Sequence, residues 1–124
     1  MKVKVLVTHK NLSINTKKIL TKTLGKLNNN TLSYLEDDGS SMKLILQEDQ
    51  VVIIRQSEAE IKYTCKQNTY SEMLISNEVG EFALQIYTHQ LEIKNDSLLL
   101  DYEIINGNDN DRFLINWQFL KEKE

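Results

Sequence analysis

The chain has no proline, one cysteine, one tryptophan and two arginines in 124 residues. Without proline, no strand is confined to a sheet edge by a missing backbone donor. The lone Cys65 excludes an intrachain disulfide. It falls on the alternating set Ile61, Tyr63, Cys65, where a small core residue is expected. A catalytic thiol would need a histidine or cationic partner. The two histidines, His9 and His89, are not placed beside it by the sequence. Neither has a histidine or cysteine at metal-ligand spacing, so no metal site is expected. Also missing are G-x-S-x-G, a glycine-rich phosphate loop and H-E-x-x-H, so no enzyme class is indicated and no cofactor is expected. No stretch approaches the ~20 apolar residues of a membrane-spanning helix. The start, MKVKVLVTHK, alternates charge with apolar residues, whereas a secretory signal needs an unbroken apolar run. The chain reads as cytoplasmic.

Carboxylates are absent from one region. Residues 1–35 hold seven lysines and no Asp or Glu, while the remainder carries a net −10, which together give −3. Such polarity arises when a basic face meets an anionic partner. It arises equally when basic strands pair with acidic strands of the same domain, which is the expectation here. The lysines are scattered, and arginine and interleaved aromatics are absent from that segment, which weighs against nucleic acid.

What is present is alternation with period two along most of the chain. Val3, Val5 and Val7 share one face, as do Leu32, Tyr34 and Glu36. Asp38-Gly39 signals a turn, after which Met42 to Gln47 returns. Val51 begins another strand. Phe82, Leu84 and Ile86 form one stripe, Leu98, Leu100, Tyr102 and Ile104 another, and Phe113, Ile115, Trp117 and Phe119 the last. Asn106-Gly107 marks a hairpin loop. Residues 14–27 are ambiguous. Leu20, Leu24 and Leu27 have helical spacing and Asn15 or Thr16 could cap, but Ile19 and the threonines favour a strand. About ten short strands in one domain (1–124), with no helix–strand alternation, predict an all-β antiparallel architecture. A flat sheet would expose unpaired edges, so an up-and-down β-barrel of about 8–10 strands is expected.

These features resemble the uncharacterised YwiB-like family of small bacterial calycin-like β-barrels. The resemblance is carried by YLE (Tyr34–Glu36), VVIIR ending in Arg55, the glycine-led GEFALQIYT (Gly80–Thr88), LEI from Leu91, LLLDYEI containing Asp101-Tyr102, and RFLINW. Ser57 and Asn77 stand where the family pattern usually has glycine and threonine. The resemblance implies a calycin/lipocalin-like barrel, a cytoplasmic bacterial setting and kinship in shape with carriers of small apolar ligands.

Arg55 shares a face with Val51 and Ile53. An unpaired buried guanidinium costs several kcal/mol, so its end must reach water or a carboxylate. One reading is an ion pair at a barrel rim with Glu36, Asp101 or Glu103. The other is an anion clamp, in which Arg55 and Glu36 lie at the mouth and Tyr34, Tyr102 and Trp117 wall a ligand cavity. The expected function is a barrel that binds a small amphipathic or anionic ligand in or at its mouth. The alternative is a protein or RNA interaction module with a fully packed barrel. Neither membrane nor DNA is expected as a partner, RNA is disfavoured, and an outward stripe such as Val52, Ile54 could support a homodimer. The oxygen-rich Asn106–Asp111 lacks the EF-hand order and reads as a solvated loop.

Overall fold

Period-two alternation becomes a ring of strands. The computed structural model describes residues 1–105 and 110–121. Its strands are β1 (Lys2–Asn11), β2 (Thr16–Asn28), β3 (Thr31–Leu35), β4 (Ser41–Leu46), β5 (Gln50–Gln56), β6 (Glu60–Lys66), β7 (Thr69–Asn77), β8 (Gly80–Ile93), β9 (Ser97–Ile105) and β10 (Asp111–Lys121). Each pairs antiparallel with the next in sequence, and β10 returns to β1, closing the barrel. In β1–β10 the register sets Val5 opposite Phe119 and Val7 opposite Trp117, so both strands turn their apolar set to the same side. The predicted antiparallel barrel is the observed fold. Among the described residues no helix is long and apolar enough to cross a membrane. The Asn106–Asp111 loop lies largely outside the described residues.

The ambiguous segment is strand, not helix. Asn15 has φ 53°, a left-handed turn residue leading into β2 and not a cap. Thr21 is buried, and Leu24 points outward and is exposed. The helical spacing of the leucines is therefore coincidental. A bulge between Val7 and Thr8 adds one residue on β2 and reverses which side its ends present. Further along, Gly25 faces inward between Val3 and Tyr34. A Cβ there would lie 2.7 Å from the Ser33 carbonyl oxygen and 2.9 Å from Val5 Cγ2, so only glycine lets these strands meet.

The inward residues form one apolar cluster in the lumen, including Val3, Val5, Leu32, Leu44, Ile53, Ile86, Leu98, Leu100, Trp117 and Phe119. One expectation about side chains fails. Phe82 and Leu84 share the inward parity of Ile86 yet are 52% and 36% exposed. The reason is length: β9 ends at Ile105, opposite Gln85, so the start of β8 overhangs the rim. On β5, Val52 and Ile54 face outward and are half-buried between the neighbouring strands.

Candidate functional site

Arg55 ends the inward row of β5 at the rim carrying the β3–β4 connection. Its Nε donates to Glu36 Oε1 at 2.7 Å, and one terminal nitrogen reaches Asp38 Oδ2 and Ser40 Oγ, both at 3.1 Å. The turn around Gly39 (φ 88°) folds these acceptors back towards the barrel. Within it, the Ser40 N–H donates to Asp38 Oδ1 at 2.9 Å. These bonds from Ser40, with Arg55 close by, hold the Asp38 carboxyl below the usual carboxylate range. The Glu36 hydrogen bond in turn raises the Arg55 pKa. The guanidinium is thus already clasped by two carboxylates and a hydroxyl.

Tyr34 and Trp117 meet through the lumen. Trp117 Nε1 donates to the Tyr34 hydroxyl at 2.9 Å. Their strands, β10 and β3, are separated round the ring by β1 and β2, so the bond is a chord across the interior. Burial is the main reason that the Tyr34 hydroxyl is pushed well above its ordinary pKa. A second chord joins Tyr63 on β6 to Tyr102 on β9, with ring centroids 5.8 Å apart. Burial pushes Tyr102 up to about 12. Tyr102 also packs on Phe113 at 5.5 Å, and Phe113 on His9 at 5.0 Å. Burial first, then Lys18, lowers the His9 pKa.

The five residues expected to form one site therefore divide. Arg55 and Glu36 join at the rim, Tyr34 and Trp117 form one lumenal chord, and Tyr102 belongs to the other. Asp38 and Ser40 were not anticipated, whereas Tyr63 was already placed on an alternating apolar set with Cys65. The DDGS turn held the signal for the first two, because a short polar turn after Glu36 must fold back near it. The other two suggested partners of Arg55 are engaged elsewhere, on the outer wall. Asp101 takes a two-point bond from Arg112 at 2.9 and 2.8 Å. Glu103 binds His89 Nε2 at 2.8 Å, the chief reason its carboxyl titrates low. A bulge between Thr88 and Gln90 sets His89 on that wall.

The clefts on the molecule open to solvent. One of about 430 Å³ lies beside the β7–β8 overhang, lined by Glu60, Lys62, Ile75 and Phe82 among others. Two more, of about 410 and 380 Å³, flank the exposed Leu24 on the outer wall, between lysines of β1, β2 and β4. In the lumen, the Thr21 and Thr88 hydroxyls are buried without an oxygen or nitrogen partner. The Cys65 thiol, beside Thr88, is a weak partner at most.

Residues 4–112 match the model of a family described as a domain of unknown function, DUF1934. The chain belongs to that family. The barrel is similar to the crystal structure of the ywiB protein from Bacillus subtilis, with a TM-score of 0.70 over 98% of this chain and 92% of that one. At 12% identity, that likeness speaks for the fold alone. No curated protein matches the chain.

Proposed function

We propose that the barrel is a binding module whose working surface is its outer wall, with a packed lumen that serves stability. One observation carries this reading: the polar atoms expected to hold a ligand are already satisfied within the protein. Arg55 is bonded to Glu36, Asp38 and Ser40 and Tyr34 to Trp117, while the Tyr102 ring packs against Tyr63. A small amphipathic passenger in the lumen would have to break the Tyr34–Trp117 chord and displace core side chains. Each buried donor left without a partner costs about 1–3 kcal/mol. An anionic head group at Arg55 would compete with two carboxylates already there.

Native mass spectrometry of the purified protein tests this, together with thermal unfolding in the presence of fatty acids and nucleotides. No passenger and no shift in Tm are expected. A co-purifying molecule, with a Tm rise that Trp117→Phe abolishes, would restore the lumenal carrier. A second reading has one observation in its favour, the cleft beside the overhang, where Phe82 and Ile75 sit near Lys62. An amphipathic ligand held there would raise Tm in the wild type and not in Phe82→Ser.

A further inference from the structure

The carboxylate-free start of the chain takes on a shape once the strands are paired. Lys2 is opposite Lys26, Lys26 opposite Ser33, and Ser33 opposite Lys43. Lys43 is opposite Ile54, and Ile54 opposite Lys62. All six residues point outward and lie in one register row. The row crosses β1 to β6, five of the ten inter-strand steps, so it runs round about half of the ring. At the usual spacing of hydrogen-bonded strands, five steps make a belt about 24 Å long. Lys4 stands two residues along β1 from Lys2, and Lys22 four residues along β2 from Lys26. The neighbouring row on one side, Asn28, Thr31, Ile45, Val52 and Thr64, is uncharged. On the other side the row from Leu35 through Ser41 and Gln56 ends at Glu60.

Intramolecular pairing with acidic strands was expected to neutralise these lysines, and it does not. Among the described residues, none of Lys2, Lys4, Lys22, Lys26, Lys43 and Lys62 makes an ion pair. Glu72 and Glu92, on β7 and β8, lie outside the row, while Glu81 and Glu60 line the same cleft as Lys62 and bound the belt at its β6 end.

We infer that this belt binds single-stranded RNA, in a mode that rests on the outer wall being the working surface. Its charge selects a polyanion, and its curvature selects a flexible one. A planar anionic membrane can touch only a few adjacent strands of a convex wall, and a stiff duplex meets the same limit. A flexible single strand can follow a curved row of ammonium groups, each meeting a phosphate. The belt bears no aromatic or arginine side chain for stacking or base-edge contacts, so binding is indifferent to base sequence.

The test is fluorescence anisotropy of a labelled twelve-nucleotide oligouridylate against the intact protein. Binding is expected at 50 mM salt, falling about 100-fold by 200 mM if about five phosphates are neutralised. The triple variant Lys26→Gln, Lys43→Gln, Lys62→Gln should bind at least about tenfold more weakly at 50 mM, with a salt slope shallower by about two. A control with the same net charge, Lys66→Gln, Lys94→Gln, Lys121→Gln, should bind like the wild type. Circular dichroism checks that both fold. Three results overturn the inference: no anisotropy change up to about 100 μM protein at 50 mM salt, equal weakening in the two triples, or belt-dependent binding to phosphatidylglycerol vesicles without RNA binding. If RNA fails while native mass spectrometry finds no passenger, the RNA assignment falls and the outer-wall reading stands. A lumenal passenger would remove that reading itself.

Discussion

Replacing Tyr34 with phenylalanine removes one oxygen atom from the interior and leaves Trp117 Nε1–H without its acceptor. That oxygen lies 2.9 Å from the indole nitrogen, and both side chains are buried. Water cannot take its place without opening the core. The variant keeps the ring and its packing, so the loss is chiefly the cost of a stranded donor, about 1–3 kcal/mol. With an unfolding entropy of about 2.1 cal/mol/K per residue, that lowers Tm by about 4–12 °C for a chain of this size. Trp117 is the only tryptophan, so its fluorescence during urea unfolding reports from the site itself. Trp117→Phe alone leaves a cavity, but it also removes the donor. Tyr34→Phe should therefore cost less in the Trp117→Phe background than in the wild type, with a coupling of about 1 kcal/mol or more, all four proteins of the cycle being read by circular dichroism because Trp117→Phe has no tryptophan. A loss below about 0.5 kcal/mol for Tyr34→Phe, or additivity in the cycle, would show that the bond is not formed in solution.

Four further outcomes follow from the geometry. Gly25→Ala places a methyl group 2.7 Å from a backbone oxygen, which should cost about 1–3 kcal/mol in urea unfolding; a neutral result would mean that β2 and β3 are farther apart. Burial pushes the Cys65 thiol up to about 11, so Ellman's reagent should label it only as fast as the barrel unfolds. His9 has a folded pKa below its ordinary 6.5, so the unfolded chain takes up the proton first. Stability should then fall as pH drops through 6.5 and level off below the folded value, and His9→Phe should remove that part of the profile. Thr88→Val replaces an unpartnered buried hydroxyl by a group of similar shape and should leave stability unchanged or raised; a loss above about 1 kcal/mol would reveal a hidden partner such as water.

The barrel was legible because its information is local. Val3, Val5 and Val7, or Phe113 to Phe119, show their inward face by alternation alone, and the need to hide edges then closes the ring. Thr21 and Thr23 rightly outweighed the leucine spacing in β2. Glu36 as a partner of Arg55 was within reach, since both end inward rows, but Asp38 and Ser40 depended on the path of one turn. The exposure of Phe82 and Leu84 was hidden because it depends on where β9 stops. The lysine belt was hidden for a related reason. Its lysines come from four strands, and only the register between strands, with its bulge after Val7, brings them into one row. Alternation says which side a residue faces and nothing about its height on the wall.

Nine of the ten strand junctions join neighbours in sequence, each able to zip from its own connection. The tenth, between β1 and β10, joins residues about as far apart as the chain allows, such as Val3 and Lys121. It repays its loop-closure entropy only after the other nine have curled the ribbon round. That seam is the natural place for the cylinder to breathe, and its amides should exchange with solvent ahead of those at the adjacent β9–β10 junction. Lys2 and Lys4 stand on β1 at its edge. An opening there would loosen the anchorage of one end of the belt while leaving Lys43 and Lys62 fixed.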